Sequence, residues 1–219
     1  MNIKYSLISN IIIVLMVVIA TIMMFTGFSF MGESVVLSSS KLSMFKYFTV
    51  DSNLLMGIIS CIFIYFLVKK KTIPKWLYSL KLLGTVGVSL TFFTVVFYLA
   101  PTTKYGYFSM FLNANLFYHL LVPVLSIITF LFFEKTFCLE FRDVLIGMSS
   151  MILYGIFYLT NVFIHMEHGK VSYIYDWYFF AQGGVLGCFI VLAIMLVVTF
   201  LISYSLWKGM RKNVSKRRV

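Results

Sequence analysis

Apolar residues form six long blocks along the chain, separated by short polar segments. The blocks lie near residues 7–28, 46–68, 77–99, 112–133, 144–164 and 178–207. A helix of roughly 20 apolar residues is long enough to cross a hydrocarbon core of about 30 Å. The pattern therefore predicts an all-α integral membrane protein, a single domain made of six transmembrane helices. Composition agrees, because 61% of the 219 residues are hydrophobic and only 11% are charged.

The basic residues are divided unevenly between the two sides of this predicted bundle. Fourteen of the 18 Lys and Arg belong to the side that carries both termini, and four belong to the other side. Because loops on the cytoplasmic side are enriched in Lys and Arg, both termini are predicted to be cytoplasmic. The basic loop and tail would also attract anionic lipid head groups. The net charge of +11 is thereby explained without a nucleic-acid partner.

The fourth block contains a histidine, His119, in an otherwise apolar run. An ionisable residue within a membrane helix normally faces the bundle interior or a wet cavity, so we interpret His119 as a functional residue. On a helix, Asn115, His119, Pro123 and Ser126 share one face. Pro123 has no N–H to donate to the carbonyl of residue 119, and a kink is predicted there.

The second block carries polar residues at the same predicted end of the bundle. Thr49, Asn53, Met56 and Ser60 share one face of its helix, whereas Asp51 points to roughly the opposite side. One explanation is that these groups form hydrogen bonds between helices, which is a common role for Thr, Ser and Asn in membranes. Taken without its surroundings, this segment favours that structural explanation.

The fifth block adds a third polar face at that end. Its members are Tyr154, Tyr158, Asn161 and His165. In the predicted topology these polar groups lie in the outer half of the bilayer, while the cytoplasmic halves of the helices are predicted to be apolar. The convergence predicts an outer cavity that opens toward lipid. Its predicted lining residues are Thr49, Asn53, Asn115, His119 and Asn161.

Neither a metal site nor a cofactor is predicted from the sequence. Cys61, Cys138 and Cys188 include no CxxC pair, so neither a disulfide framework nor a zinc site is expected. Haem is not favoured either, because His165 and His168 fall near the outer loop and leave His119 without an axial partner at its depth.

Three segments of the chain resemble the androgen-induced family of six-helix membrane hydrolases. The segment FKYFTVD, which begins at Phe45, is similar to the family's segment with the catalytic threonine. The segment YHLLVPVL, which begins at Tyr118 and is followed by FFE ending at Glu134, resembles its histidine helix. Residues 154–165 and 169–173 resemble its fifth helix and the turn that follows. The chain also resembles uncharacterised bacterial relatives, which implies a bacterial plasma membrane.

The resemblance implies a hydrolase of fatty acyl esters, because known members hydrolyse fatty acid esters of hydroxy fatty acids. Thr49 would be the nucleophile, and His119 would be the base that takes its proton and returns it to the leaving alcohol. The substrate partner would be a lipid or fatty acyl ester in the outer half of the bilayer. The candidates for orienting the imidazole or binding the oxyanion, among which the sequence does not choose, are Asn53, Asn115, Asn161, Tyr158 and His165.

Two other function classes stay open. One is a small transporter or channel, in which the polar faces line a path for an ion or solute. The other is a structural or partner-binding membrane protein, in which His119 only forms a hydrogen bond to a neighbouring helix. The predicted apolar inner halves argue against a path across the membrane, and a pocket open to lipid suits an amphipathic substrate better.

Overall fold

The computed structural model describes residues 2–32, 41–134 and 139–215, with the side chains of 212–215 excepted. Within these residues the chain is helical without a β-strand, and six helices are long and apolar enough to cross a membrane. The predicted all-α architecture with six helices of membrane-spanning length is thus confirmed. The helices are α1 Ile3–Thr26, α2 Phe48–Val68, α3 Lys75–Thr102, α4 Ala114–Phe133, α5 Phe141–Ile164 and α6 Gly184–Ser215.

The sixth helix begins later than its apolar block predicts. The block starts near residue 178, but α6 starts at Gly184 after a short 3₁₀ turn, Phe180–Gly183. The Asp176 carboxylate accepts hydrogen bonds from the N–H groups of Phe180 and Ala181, at 2.9 and 3.1 Å. These bonds stabilise the separate turn because they supply partners for N–H groups at its start. Gly184, at which α6 begins, has a φ of 68°, and this non-helical backbone angle separates the 3₁₀ turn from α6.

Several predicted features lie outside the described residues. They are Lys135, Cys138, the tail beyond residue 215 and most of the loop near 29–43. Of the cysteines that are described, Cys61 is exposed, Cys188 is buried, and both are free.

The six helices bring the start of α1 and the end of α6 to one end of the bundle, which we call the terminal end. The Asn2 N–H donates to the Phe133 carbonyl at 3.0 Å, so the start of α1 lies beside the last turn of α4. The connection between α2 and α3 and the start of α5 lie at this end as well, where Lys75 pairs with Glu140. This bond holds the pKa of the Glu140 carboxyl below its usual range. We call the opposite end, where α2, α4 and α6 begin, the distal end.

The charge distribution still predicts that the terminal end is cytoplasmic. Lys81 does not count as a flanking charge because it is fully buried within α3, yet 13 basic residues remain against four. A reporter fused after Val219 is therefore expected to be cytoplasmic, and a tag in the 29–43 loop is expected to be accessible from outside. The measurement is labelling of intact cells with an impermeant reagent. Protease cleavage of the tail in intact cells would contradict the prediction, because it would show that the tail is outside the cell.

Helices α1 to α4 surround one interior, and α5 and α6 pack on the other sides of α3. Small residues allow the close approach of α3 to α2. A Cβ atom added at Gly84 would lie 3.0 Å from the Met56 sulfur, and one added at Gly87 would lie 3.1 Å from the Ser52 Cβ. Larger side chains at these two positions would move α3 away from α2, the helix that carries Thr49 and Asn53.

The backbone of α4 is irregular at His119, as predicted, but the irregularity takes the form of a π-helical turn. Residues Phe117–Leu121 form this turn, in which the Val122 N–H donates to the Phe117 carbonyl. The wider turn precedes Pro123, which cannot donate to the helix. A second π turn, Thr129–Phe133, ends the helix. The predicted polar face of α4 is confirmed as an interior face, because Asn115, His119, Pro123 and Ser126 are all buried.

Candidate functional site

His119 is buried at the distal end of the interior between α1 and α4, with 1% of its surface exposed. Its Nδ1 atom lies 2.9 Å from the carbonyl oxygen of Met110. A carbonyl oxygen only accepts hydrogen bonds, so Nδ1 carries the proton in this contact. Nε2 of the neutral ring then holds a lone pair. The backbone at Met110 therefore fixes the tautomer in which His119 can accept a proton.

Asn53 connects Thr49 with the histidine segment. Its Nδ2 atom donates to the Thr49 carbonyl at 2.7 Å and to the Tyr118 carbonyl at 3.2 Å. These two bonds use both amide hydrogens, so Asn53 joins the first turns of α2 to the residue before His119. Thr49 is 9% exposed, and the described residues include no hydrogen bond between its hydroxyl and the His119 ring. The structure brings these two residues to the same interior without joining them directly.

Other contacts hold the histidine helix against α1. The hydroxyl groups of Tyr118 and Thr21 lie 2.9 Å apart and share a hydrogen bond. Asn113, just before α4, accepts bonds from the N–H groups of Phe30 and Met31, both at 2.8 Å. Asn115 is 1% exposed and lies one helical turn before His119. The segment after α1 is thus fastened to the entrance of the helix that carries the histidine.

The remaining candidates, Asn161, Tyr158 and His165, are held in a separate group. Tyr158 donates from its hydroxyl to the Asp176 carboxylate, and Asn161 donates to the Tyr175 carbonyl at 2.7 Å. The His165 ring stacks on the Tyr175 ring, with centroids 3.6 Å apart. These contacts hold the segment before α6 against α5. The sequence predicts these residues at the same end of the bundle as His119, but in the structure their partners belong to the segment between α5 and α6.

A groove between α2 and α5 at the distal end has a volume of about 460 Å³. Asp51 lies in this groove, on the side of α2 away from Asn53, as the helical spacing predicts. None of Thr49, Asn53, Asn115, His119 and Asn161 lines it. This groove is therefore not the cavity that the sequence predicts. The polar faces of α2 and α4, which were expected to line that cavity, meet each other in the interior of the bundle.

Sequence reasoning missed a second polar group, which lies toward the terminal end of the same interior. Lys81 and Glu134 are both fully buried, with the ammonium nitrogen 3.8 Å from Oε1 of the carboxylate. The prediction that the inner halves of the helices are apolar was wrong. The hydroxyl and amide groups that complete this set belong to Ser6, Asn10 and Ser60.

Asn10 connects the two buried charges. Its Oδ1 atom accepts from the Lys81 ammonium at 2.5 Å, and its Nδ2 atom donates to Glu134 Oε1 at 2.8 Å. Lys81 also donates to Ser60 at 3.1 Å, and Ser6 donates to Glu134 at 3.1 Å. Four helix segments thus contribute to one network. Such compensation is required because an unpaired charge inside a bundle is costly.

A signal for this network was present in the sequence. Lys81 lies six residues into α3, roughly 9 Å from its start at Lys75. Thr85 and Ser89 follow it at spacings of four, and all three are fully buried. When a lysine begins a polar face within an apolar helix, the pattern favours a position in the bundle interior over a position in a loop.

Polar side chains connect the two groups along the interior. Ser126 and Thr129 of α4, between His119 and Glu134, are fully buried. Their hydroxyl oxygens have no hydrogen-bond partner within the described residues, and the same is true of Asn53 Oδ1 and Glu134 Oε2. Buried polar atoms of this kind are commonly satisfied by water. The interior is therefore polar along most of its length.

Comparison with known proteins adds no homologue to this description. The chain matches no family model, no curated protein and no solved structure among those compared.

Proposed function

We propose that the protein is an intramembrane hydrolase of fatty acyl esters, with Thr49 as nucleophile and His119 as general base. The observation that carries the proposal is the fixed tautomer of His119, whose Nδ1 is held by the Met110 carbonyl at 2.9 Å. The free lone pair on Nε2 is what a general base requires. The resemblance of the segments around Thr49 and His119 to the androgen-induced family supports the same roles.

The reaction follows from these two groups. Nε2 of His119 takes the hydroxyl proton while the Thr49 oxygen attacks the ester carbon. The proton then passes to the leaving alcohol, and an acyl ester of Thr49 is formed. Water attacks this ester in the second step, giving its proton to His119, and release of the fatty acid returns the proton to the Thr49 oxygen. Hydrogen bonds of this kind are often long before substrate binds and shorten in the complex.

Asn53 and Asn115 have different roles in this proposal. Both amide hydrogens of Asn53 are engaged, one with Thr49 and one with Tyr118. Asn53 is therefore a positioning residue that sets the distance between α2 and the histidine segment. Asn115, one turn before His119 on the same buried face, is the candidate donor to the oxyanion. Tyr158, Asn161 and His165 take no part in the chemistry because their contacts are with the segment before α6.

The first test is covalent labelling of the purified protein with a fluorophosphonate probe, followed by peptide mapping. The label is expected on the peptide that contains Thr49, because His119 activates that hydroxyl. Thr49→Ala should abolish labelling. Thr85→Ala is the matched control, since Thr85 is also a buried threonine and its hydroxyl donates only to the Lys81 carbonyl in its own helix. Equal labelling of both variants would remove Thr49 from the mechanism.

A second candidate function is a path for protons or a small solute across the bundle. It is favoured by the buried Lys81 and Glu134 and by the polar residues between them and His119. Proteoliposomes of the same preparations distinguish the two candidates. If the interior is a path, Thr129→Val is expected to reduce the flux, because Thr129 lies along the interior. Thr49→Ala is expected to keep the flux within about twofold of wild type, because Thr49 lies at the distal end. A hydrolase predicts ester cleavage without flux.

A further inference from the structure

The groove between α2 and α5 contains an acidic side chain without a counterion. Asp51 is half-buried in its wall, and its carboxylate makes no hydrogen bond or ion pair within the described residues. The basic residue nearest in sequence, Lys46, has its ammonium over the rings of Tyr47 and Trp177, at 5.2 and 5.9 Å from their centroids. Asp51 lies in the first turn of α2, where the positive end of the helix dipole favours an ionised carboxylate, and no cationic side chain of the described residues pairs with it.

The walls around Asp51 are aromatic. Phe45, Phe48, Tyr154 and Phe157 line the same groove. The Phe48 ring meets the Tyr154 ring edge to face at 5.2 Å between centroids, and the Phe157 ring lies 6.2 Å from that of Tyr154. Aromatic faces attract ammonium groups through their quadrupoles, and several such faces beside a carboxylate are typical of sites for quaternary ammonium ions.

The orientation of Tyr154 is fixed by its own hydrogen bonds. Its hydroxyl donates to the Lys46 carbonyl and accepts from the Trp177 indole N–H at 3.0 Å. Tyr154 therefore presents its ring to the groove without a free hydroxyl. Ser150 also lines the groove, and its buried hydroxyl oxygen has no partner within the described residues.

The remainder of the groove is apolar and faces the lipid side of the bundle. Leu55 and Leu153 line it, and Leu153 and Phe157 are 67% and 54% exposed. In a membrane helix, side chains this exposed face acyl chains. A volume of about 460 Å³ is in the range of sites for small organic ligands. The groove thus has a negative, aromatic end and an apolar body that is open at the side.

We propose that this groove binds the cationic head of a lipophilic amine, with its alkyl tail lying between α2 and α5 toward the lipid. The ammonium group would lie between Asp51 and the rings of Phe48, Tyr154 and Phe157. A phospholipid head fits less well, because its phosphate would lie deeper than its amine and no basic side chain lines the groove. The site is independent of the proposed hydrolase, since Asp51 and Thr49 belong to different sides of α2.

The test is competition against a fluorescent alkyltrimethylammonium probe, measured by anisotropy with purified protein in an uncharged detergent. The competitors are dodecyltrimethylammonium and its isostere in which carbon replaces the nitrogen. The ammonium compound is expected to displace the probe at a concentration about tenfold lower than the isostere, since only the charge differs. Equal displacement by both compounds would show a groove for alkyl tails only and would overturn the proposal.

Variants locate the charge that is recognised. Asp51→Asn is expected to weaken binding of the probe about tenfold, and Asp51→Glu to weaken it less. Glu167→Gln is the matched control, because it removes one negative charge from an exposed residue at the distal end. Unchanged binding in Asp51→Asn, or equal weakening in Glu167→Gln, would contradict the site. If Asp51→Asn does not fold, the comparison of the two competitors with the wild type decides the question.

Discussion

Replacing Lys81 by methionine is expected to destabilise the bundle by about 3–5 kcal/mol, because the change leaves Glu134 charged, buried and without its counterion. Asn10 and Ser60 would each lose a hydrogen-bond partner in the same step. The measurement is the unfolding transition of the purified protein in detergent. Glu134→Gln should have an effect of similar sign, since it leaves the ammonium group buried.

The matched control for this prediction is Lys75→Met, the same substitution six residues earlier in α3. Lys75 pairs with Glu140 at the exposed surface of the terminal end, where water screens the ion pair, so its loss is expected to change the melting temperature little. The double variant Lys81→Met with Glu134→Gln should recover most of the stability, because neither charge is then left without a partner. Equal melting temperatures for Lys81→Met and Lys75→Met would contradict a structural role for the buried pair.

The second large effect is expected from the proposed catalytic pair. Thr49→Ala and His119→Ala should each lower the turnover of a fatty acyl ester by about 10³-fold or more, because each removes a group on which the whole first step depends. The double variant should be scarcely slower than either single variant, since effects within one catalytic unit are not additive. Thr49→Ser should retain part of the activity because it keeps the hydroxyl group.

A structural role for the same residues predicts a different result. A hydrogen bond between membrane helices contributes only about 0.6 kcal/mol on average, so Thr49→Ala would then lower the melting temperature slightly and change turnover within a few-fold. Ester hydrolysis and melting temperature are therefore measured together on wild type and all four variants. Thr85→Ala serves again as control and is expected to stay within about threefold of wild type, because its hydroxyl bonds only within α3. A well-folded Thr49→Ala with normal turnover would contradict the proposed mechanism.

Part of the interior was predictable from helical spacing alone. The buried face of α4 around His119, and the opposite directions of Asn53 and Asp51 on α2, follow from 3.6 residues per turn. The spacing of residues along one helix does not determine which other helix its polar face contacts. Asn161 and His165 lie at the same end as His119, but they contact the segment before α6, whose path depends on the bonds of Asp176 to the backbone of residues 180 and 181.

The sequence by itself determined the number and approximate limits of the six membrane helices. A segment crosses the hydrocarbon core only if it is long and apolar enough, and its helix satisfies its backbone hydrogen bonds within that same segment. It also determined which residues of α4 face inward. Only the tertiary structure decided which groups compensate the charge of Lys81, namely Asn10 of α1, Ser60 of α2 and Glu134 at the end of α4. Those partners are distant along the chain, and the energy that compensates a buried charge comes from contacts that no single helix contains.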